Sequence, residues 1–443
     1  MPVPLPATAG AQFFRVPPFG TGAGYGIIVQ KNGCVEAGAR AAVRRRLPAP
    51  RAGSAASLST TDERFDDLSD LIYLDNAATT AVCPQAAAAF SEAAQQFGNP
   101  SSLHELGFAA ERLVAGARQI VAESLGAAPG ELYFTPGGTY SDNFAILGAA
   151  RRRGKRGGHI VTSAFEHPAV LNTVRALEKE GFSATYLAPD AKGYISAADV
   201  AAAVRDDTFL VSLMLVNNEL GTAQPVAEAA RLVKGSRPDI LFHTDAVQAY
   251  RKMPVGVRAL GVDLLSVSGH KIHAYKGVGA LYVKKGVRLA PVVCGGGQEG
   301  GIAPGTEPVP LIAALAAAAA LPVEQETLGE LTEYALAAVA ARCPQAEILS
   351  RGGAGGIFAL TLRGLRGETV MHALAGRGVY VSTGSACGRG KPSHVLAALP
   401  IDREAAAGAI RVSVSRDTKR SELDFFAASL AEVCAALAPK RKR

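Results

Sequence analysis

The chain has 443 residues, 48% of them hydrophobic, with 46 Lys and Arg against 39 Asp and Glu for a net charge of +7. That length exceeds what one hydrophobic core serves, so two domains are expected. Residues 1–61 hold seven basic and one acidic side chain and the last four, KRKR, are all basic, so the residues between them carry about −3. A mildly acidic body argues against a nucleic-acid groove, and no direct nucleic-acid binding is expected; the tail reads as solvated. The longest apolar run, LIAALAAAAALPV from Leu311, is too short and too rich in Ala to span a bilayer, and reads as a packed helix.

Residues 1–70 form a leader rich in Pro, Gly, Ala and Arg with weak periodicity. GTGAGYG at Gly20–Gly26 does not complete GxGxxG and follows no clear strand, so it is not taken as a phosphate loop. A cytoplasmic location is expected, with an organelle as the alternative if this Arg-rich, acid-poor leader is a transit peptide.

From Leu71 onward short apolar runs alternate with helix-length segments. Strands are expected at 131–135, 159–163, 184–188, 209–216, 240–244, 263–268 and 279–283. In ERLVAGARQIVAESLG, Leu113, Ala117, Val121 and Leu125 recur four apart and form one apolar stripe. Strand–helix alternation with near-continuous apolar strands predicts an α/β fold, a mostly parallel sheet sandwiched by helices over residues 71–325. Beyond it, Ala-rich helices with strands at 356–362 and 409–415 predict a smaller α+β domain over 326–439, followed by the basic tail 440–443.

Ligands of such sheets sit at the carboxyl ends of the strands. Polar clusters follow five of the expected strands: GGT, EHP, NNE, DAVQ and GHK. They gather a primary amine (Lys271), a carboxylate (Asp245), an imidazole (His167) and the neutral hydrogen-bonding groups Asn218 and Gln248. Gly137, Gly138 and Thr139 open a helix and, with Ser268 and His270, can serve an anion. Pyridoxal phosphate needs such a set: an amine to carry it, a carboxylate for the ring nitrogen and a phosphate cup. Singly, each residue has a plainer reading, as a solvated strand end, a turn cap or a satisfied core histidine.

The six cysteines, at 34, 83, 294, 343, 387 and 434, form no CxxC pair or Cys/His cluster, so no metal site is expected. Their dispersal fits a reducing compartment. Cys387 stands apart in STGSACGRG, where Arg389 and Lys391 favour a thiolate over the free thiol with its pKa of ~8.5.

From Tyr73 to about residue 430 the chain resembles the cysteine desulfurases of the class V aminotransferase group. The stretches that carry the likeness include YLDNAATT (73–80), FGNPSSLHELG (97–107), HIVTSAFEHPAVL (159–171), VNNELGTAQP (216–225), FHTDAVQ (242–248), DLLSVSGHKIHAYKGVGALYV (263–283), VYVSTGSACGRGKPSHVL (379–396) and IRVSVSR (410–416). The resemblance implies a fold-type-I enzyme dependent on pyridoxal 5'-phosphate, and a homodimer. It implies that Lys271 carries the coenzyme, Asp245 pairs its ring nitrogen, His167 stacks on the ring and shuttles protons, and Gln248 meets the ring hydroxyl. Gly138, Thr139, Ser268 and His270 would bind the phosphate, joined by Thr306 from the neighbouring subunit. Asn218 and Arg411 would hold the carboxylate of L-cysteine, and Cys387 would take its sulfur as a persulfide for an acceptor in iron–sulfur cluster or tRNA thiolation pathways. The alternatives are a lyase acting on selenocysteine or cysteine sulfinate, ordinary transamination, and an inactive binding partner in sulfur trafficking. The chain departs from the family pattern at Tyr140, where Glu is common, and at Ala303 and Pro304, where an Arg is usual. Only four residues separate Cys387 from Pro392, so the arm is short.

Overall fold

The structure, a computed structural model, describes residues 71–353, 356–383 and 393–438. Cys387 with Arg389 and Lys391, the leader 1–70 and the tail 440–443 lie outside the described residues. In chain order the strands are β1 (Ile72–Tyr73), β2 (Leu132–Thr135), β3 (His159–Ser163), β4 (Ser183–Leu187), β5 (Thr208–Ser212), β6 (Leu241–Asp245), β7 (Leu264–Ser268), β8 (Gly279–Val283), β9 (Glu347–Ser350), β10 (Ile357–Thr361), β11 (Val379–Tyr380) and β12 (Ala409–Ser413).

Seven strands form one sheet in the order β2-β8-β7-β6-β5-β3-β4. β8 runs against both of its neighbours; the pairs from β7 across to β4 are parallel. β3, β5, β7 and β8 are buried along their whole length, which is why they read as continuous apolar runs, whereas edge strand β4 is half-buried. Helix Pro168–Lys179 shows how one face is covered. Val170, Val174 and Leu177 recur at helical spacing and pack on Ile160 and Leu210 of the sheet, each burial contributing on the order of 2 kcal/mol.

Two expectations need adjustment and a third holds. The stripe on helix Glu105–Ser124 runs through Ala110, Val114, Ala117 and Val121, and Leu113 faces solvent. A strict four-residue step drifts by about 40° per turn, so the buried line alternates steps of three and four. The strand expected over 209–216 ends at Ser212, because the Met214 N–H turns away to donate to Glu166 Oε1 at 2.9 Å. The run from Leu311 is a packed helix, Val309–Ala319, as expected.

A second sheet, β12-β10-β9, is antiparallel. Helices Gln325–Arg342, Gly367–Ala375 and Arg420–Leu437 cover it around Phe358, Leu360, Ile410 and Phe426. β1 pairs in parallel with β11, and Leu74 packs into the same cluster. The chain just after β1 is thereby fixed beside β12, where Ser413 N donates to Leu74 O at 2.8 Å.

Gly279 marks the tightest point between β7 and the turn after β2. A Cβ there would stand 2.5 Å from Val267 O and 2.8 Å from Gly137 Cα, all backbone atoms that cannot yield. Gly279→Val should therefore destabilise the fold by about 1–3 kcal/mol, read as a lower urea midpoint with an unchanged slope. A midpoint equal to that of the parent protein would contradict this packing.

Candidate active site

β2 ends at Thr135, and the chain turns through Gly137 (φ 145°) into helix Gly138–Arg153. That φ favours glycine. At Gly138 a Cβ would come within 2.7 Å of Val247 Cγ2, so the helix start lies directly against the chain that follows β6. Thr135 and Ser141 share a 2.7 Å hydroxyl contact that pins the turn. This helix start lies against Ser268 at the end of β7, with His270 and Lys276 on the same cavity, and the first N–H groups of a helix have no partner within it. Burial, then Lys271, Lys276 and Lys252, push the His270 imidazole down to about 4, so it is neutral.

The cavity holds about 550 Å³, and Gly138, Thr139, His167, Asn218, Asp245, Gln248, Ser268, His270, Lys271 and Arg411 all border it. The five polar clusters that follow the strands thus converge, as the sequence predicts. Thr306 does not join them. It lies in an adjacent cleft of about 340 Å³ with Ala303 and Glu307. Tyr140 and Gly277 border both spaces.

Lys271 closes a short 3-10 turn, Gly269–Lys271, after β7. Its Nζ donates to Ala77 O at 2.5 Å and Ala78 O at 2.8 Å. Burial, followed by the cations Lys252 and Arg411, pushes its amine down to about 7, against the pull of Asp245 and Asp75. The floor is formed by Asp245, at the end of β6 and only 6% exposed, whose Oδ1 accepts from Val247 N at 2.8 Å. His167 caps helix Pro168–Lys179, and its Nδ1 accepts from Ala169 N at 3.2 Å, so the neutral ring carries its proton on Nε2. Burial, then Lys271 and His394, lower its pKa, while Asp245 opposes them.

Asp142 was not singled out by sequence. It is buried, and its carboxyl, that of Asp245 and a His167 nitrogen lie within 4.8 Å of one another. Such a trio can also hold a cation. Burial first, then Asp245, raise Asp142 well above the carboxylate range, and burial raises Asp245 too. His243 Nε2 stands 3.6 Å from Asp142, but burial lowers that ring to about 3, so the pair is not ionic.

At the other end of the cavity Arg411 rises from β12. Its Nη1 donates to the backbone O of Asn218 at 2.9 Å and its Nη2 to Asp75 Oδ1 at 2.6 Å. Asp75, in YLDNAATT, is a second site residue that sequence did not single out. Arg411 Nε and Asn218 Oδ1 are buried without a partner. Buried polar atoms cost free energy unless satisfied, so these two fit a ligand that brings its own polar groups. An anion cup, a lone amine, a buried carboxylate and unsatisfied atoms opposite them form a donor set that fits pyridoxal phosphate with an amino acid beside it.

The aminotransferase class-V family model matches residues 72–426. The chain belongs to that family, in its cysteine desulfurase branch. It is 40% identical to the cysteine desulfurase IscS of Methanosarcina thermophila over 363 residues, 80% of this chain and 89% of the relative. A NifS-like protein of solved structure superposes with a TM-score of 0.78 at 35% identity, covering 83% of this chain and all of that one. The solved structure of SspA in complex with cysteine gives 0.69 at 36% identity, covering 77% and 98%. The sheet and its flanking helices are accordingly of fold type I, and the chain is an enzyme.

For this member of the family, the environment of Lys271 has a direct readout. Reductive methylation of coenzyme-free protein with a small aldehyde requires the neutral amine. Labelling of Lys271 should rise with pH through a midpoint near 7, instead of the ~10.4 of an ordinary lysine. Peptide mapping against pH measures it, and a midpoint above 9 would contradict the arrangement.

Proposed function

We propose that the enzyme takes the sulfur of L-cysteine, releases L-alanine and holds the sulfur as a persulfide on Cys387 for a protein acceptor. The observation that carries this reading is one cavity with Lys271 beside Asp245 and His167, an anion cup at one end and Arg411 at the other. In this reading residues 71–325 hold the coenzyme and residues 326–439 supply Arg411 and Cys387.

The coenzyme proposed is pyridoxal 5'-phosphate. When bound, it supplies an electron sink for the bonds at the substrate α-carbon. Gly138, Thr139, Ser268 and His270 would hold its phosphate, Asp245 its ring nitrogen, His167 its ring face and Gln248 its ring hydroxyl. Lys271 is the amine that binds it, and the depressed pKa keeps a useful fraction of that amine neutral near pH 7. Arg411 presents a planar fork to the substrate carboxylate, with Asn218 next to it, and Asp75 holds that fork through Nη2. His167 Nε2 is placed to hold and pass a proton. The sulfur transfer balances without an outside oxidant: the S–C bond of cysteine breaks, an S–S bond forms at Cys387, and the thiol proton and one further proton end on alanine and the persulfide.

A homodimer is proposed as the working form. Phe97 is 84% and Leu103 90% exposed on the single chain, large apolar side chains that a second copy would cover. Thr306, outside the cavity of its own subunit, is then free to serve the partner's phosphate cup. No helix among the described residues is long and apolar enough to cross a membrane. The compartment proposed is the cytoplasm, with an organelle as the alternative.

Mass spectrometry after brief treatment with L-cysteine tests the central claim. One sulfur atom should be added, on the peptide holding Cys387, with stoichiometric alanine. Cys387→Ser should lose the added sulfur yet keep the absorbance of bound coenzyme, whereas Lys271→Ala should lose both. Sulfide release by Cys387→Ser at the parent rate would sink the assignment. Arg411→Lys should raise KM for cysteine about tenfold or more and change kcat less, since an ammonium cannot replace a bidentate fork. An unchanged KM in steady-state kinetics would remove Arg411 from substrate binding.

A further inference from the structure

Lys252 is 4% exposed and stands four residues after Gln248. Its Nζ donates to Gln248 Oε1 at 3.2 Å. The other end of the same amide, Nε2, donates to Ala77 O at 2.9 Å, and that carbonyl also receives Lys271 Nζ at 2.5 Å. One backbone oxygen is therefore shared by the coenzyme lysine and by Gln248, and Lys252 stands behind the latter.

The two ends of a glutamine amide have nearly the same shape and opposite chemistry. An ammonium has three donors and no acceptor. Lys252 can face only Oε1, and the N–H end is left toward the cavity. We infer that Lys252 is a positioning residue of the coenzyme site, fixing Gln248 as a hydrogen-bond donor toward the ring oxygen of the bound coenzyme. The inference rests on the reading that the coenzyme sits on Lys271. Without Lys252 the amide is held by Ala77 O alone, and its oxygen can turn toward the ring oxygen, where two acceptors repel.

The buried cation is otherwise expensive to keep. Glu324 faces it favourably, but Glu324 already pairs with Arg416 at 2.8 Å. Arg411 opposes it, and Lys271, His270 and His273 each feel its charge. A purely structural lysine would affect stability alone. A lysine acting through Gln248 affects the electronic state of the bound coenzyme, because a donor on the ring oxygen draws electron density away from the neighbouring nitrogen and lowers its proton affinity.

The experiment uses holoenzyme of the parent, Lys252→Met, Gln248→Leu and the double variant, and follows the visible absorbance band of bound coenzyme against pH. Lys252→Met should raise the midpoint by about one unit, a tenfold gain in proton affinity. Gln248→Leu should do the same, and the double variant should shift no further than either single one. An unmoved midpoint in Lys252→Met overturns the inference. So do shifts that add in the double variant, since Lys252 would then act as a charge independent of Gln248. Should Lys252→Met fail to fold, Gln248→Glu keeps Lys252 paired but offers the ring no donor; it should reproduce the upward shift, and an unmoved midpoint there overturns the inference equally. Borohydride reduction and peptide mapping of the parent separate the two levels. Absence of coenzyme on Lys271 defeats the functional reading, whereas coenzyme on Lys271 with an unmoved midpoint in the variants defeats only the role of Lys252.

Discussion

An amine that must react near neutral pH cannot sit in water, where it stays protonated, and cannot be buried alone, where its charge has no compensation. Lys271 is held between these limits. Two backbone carbonyls, Ala77 O and Ala78 O, accept from its Nζ. Lys252 and Arg411 press the proton off while Asp245 and Asp75 hold it on. These groups come from the turn after β1, from the segment after β6, from β12 and from the end of β6. The balance therefore exists only when both sheets are folded and docked, with β1 tied to β11 and the chain beyond it to Ser413. The reactivity of one side chain is a property of the whole tertiary arrangement.

The same constraint explains the polarity of the cavity. Cationic or donor groups occupy its two ends, the helix start with His270 and Lys276 at one and Arg411 at the other. Carboxyls occupy the floor, where the Asp245 charge adds to burial in raising the proton affinity of Asp142. A pyridinium N–H brought next to Asp245 would restore the charge that burial suppresses, which is why a buried acid is a better partner for it than a solvated one.

Much of this was legible in the sequence because continuous burial writes itself as continuous apolar runs. β3 and β8 fall where those runs lie, and the polar cluster after each site-forming strand marks the cavity. β1 and β11, two residues each, are too short to carry a period, and β9 is a half-exposed edge with a weak one. Leu113 was misplaced by one helical step. Asp75, Asp142 and Lys252 were not singled out because nothing local distinguishes them. A carboxyl becomes a site residue when another carboxyl or a guanidinium from a distant strand arrives beside it, and spacing does not report such arrivals. Thr306 was named from the resemblance for the phosphate of the neighbouring subunit, and on its own chain it lies outside the cavity.

Arg411 shows what the asymmetry accomplishes. Its guanidinium is 5% exposed and already engages Asp75 and the Asn218 carbonyl, yet Nε keeps an unmet donor. An arginine paired on one edge keeps its plane fixed, so an incoming carboxylate meets a prepared donor and loses little rotational freedom in ordering it. Asp75 also prevents an isolated positive charge from standing in a buried wall before substrate arrives. A ligand with an anionic group at each end and a basic ring nitrogen between them meets the cup, the floor and the fork at once. That order of charges along the cavity follows from which strand ends and which helix start the fold brings together.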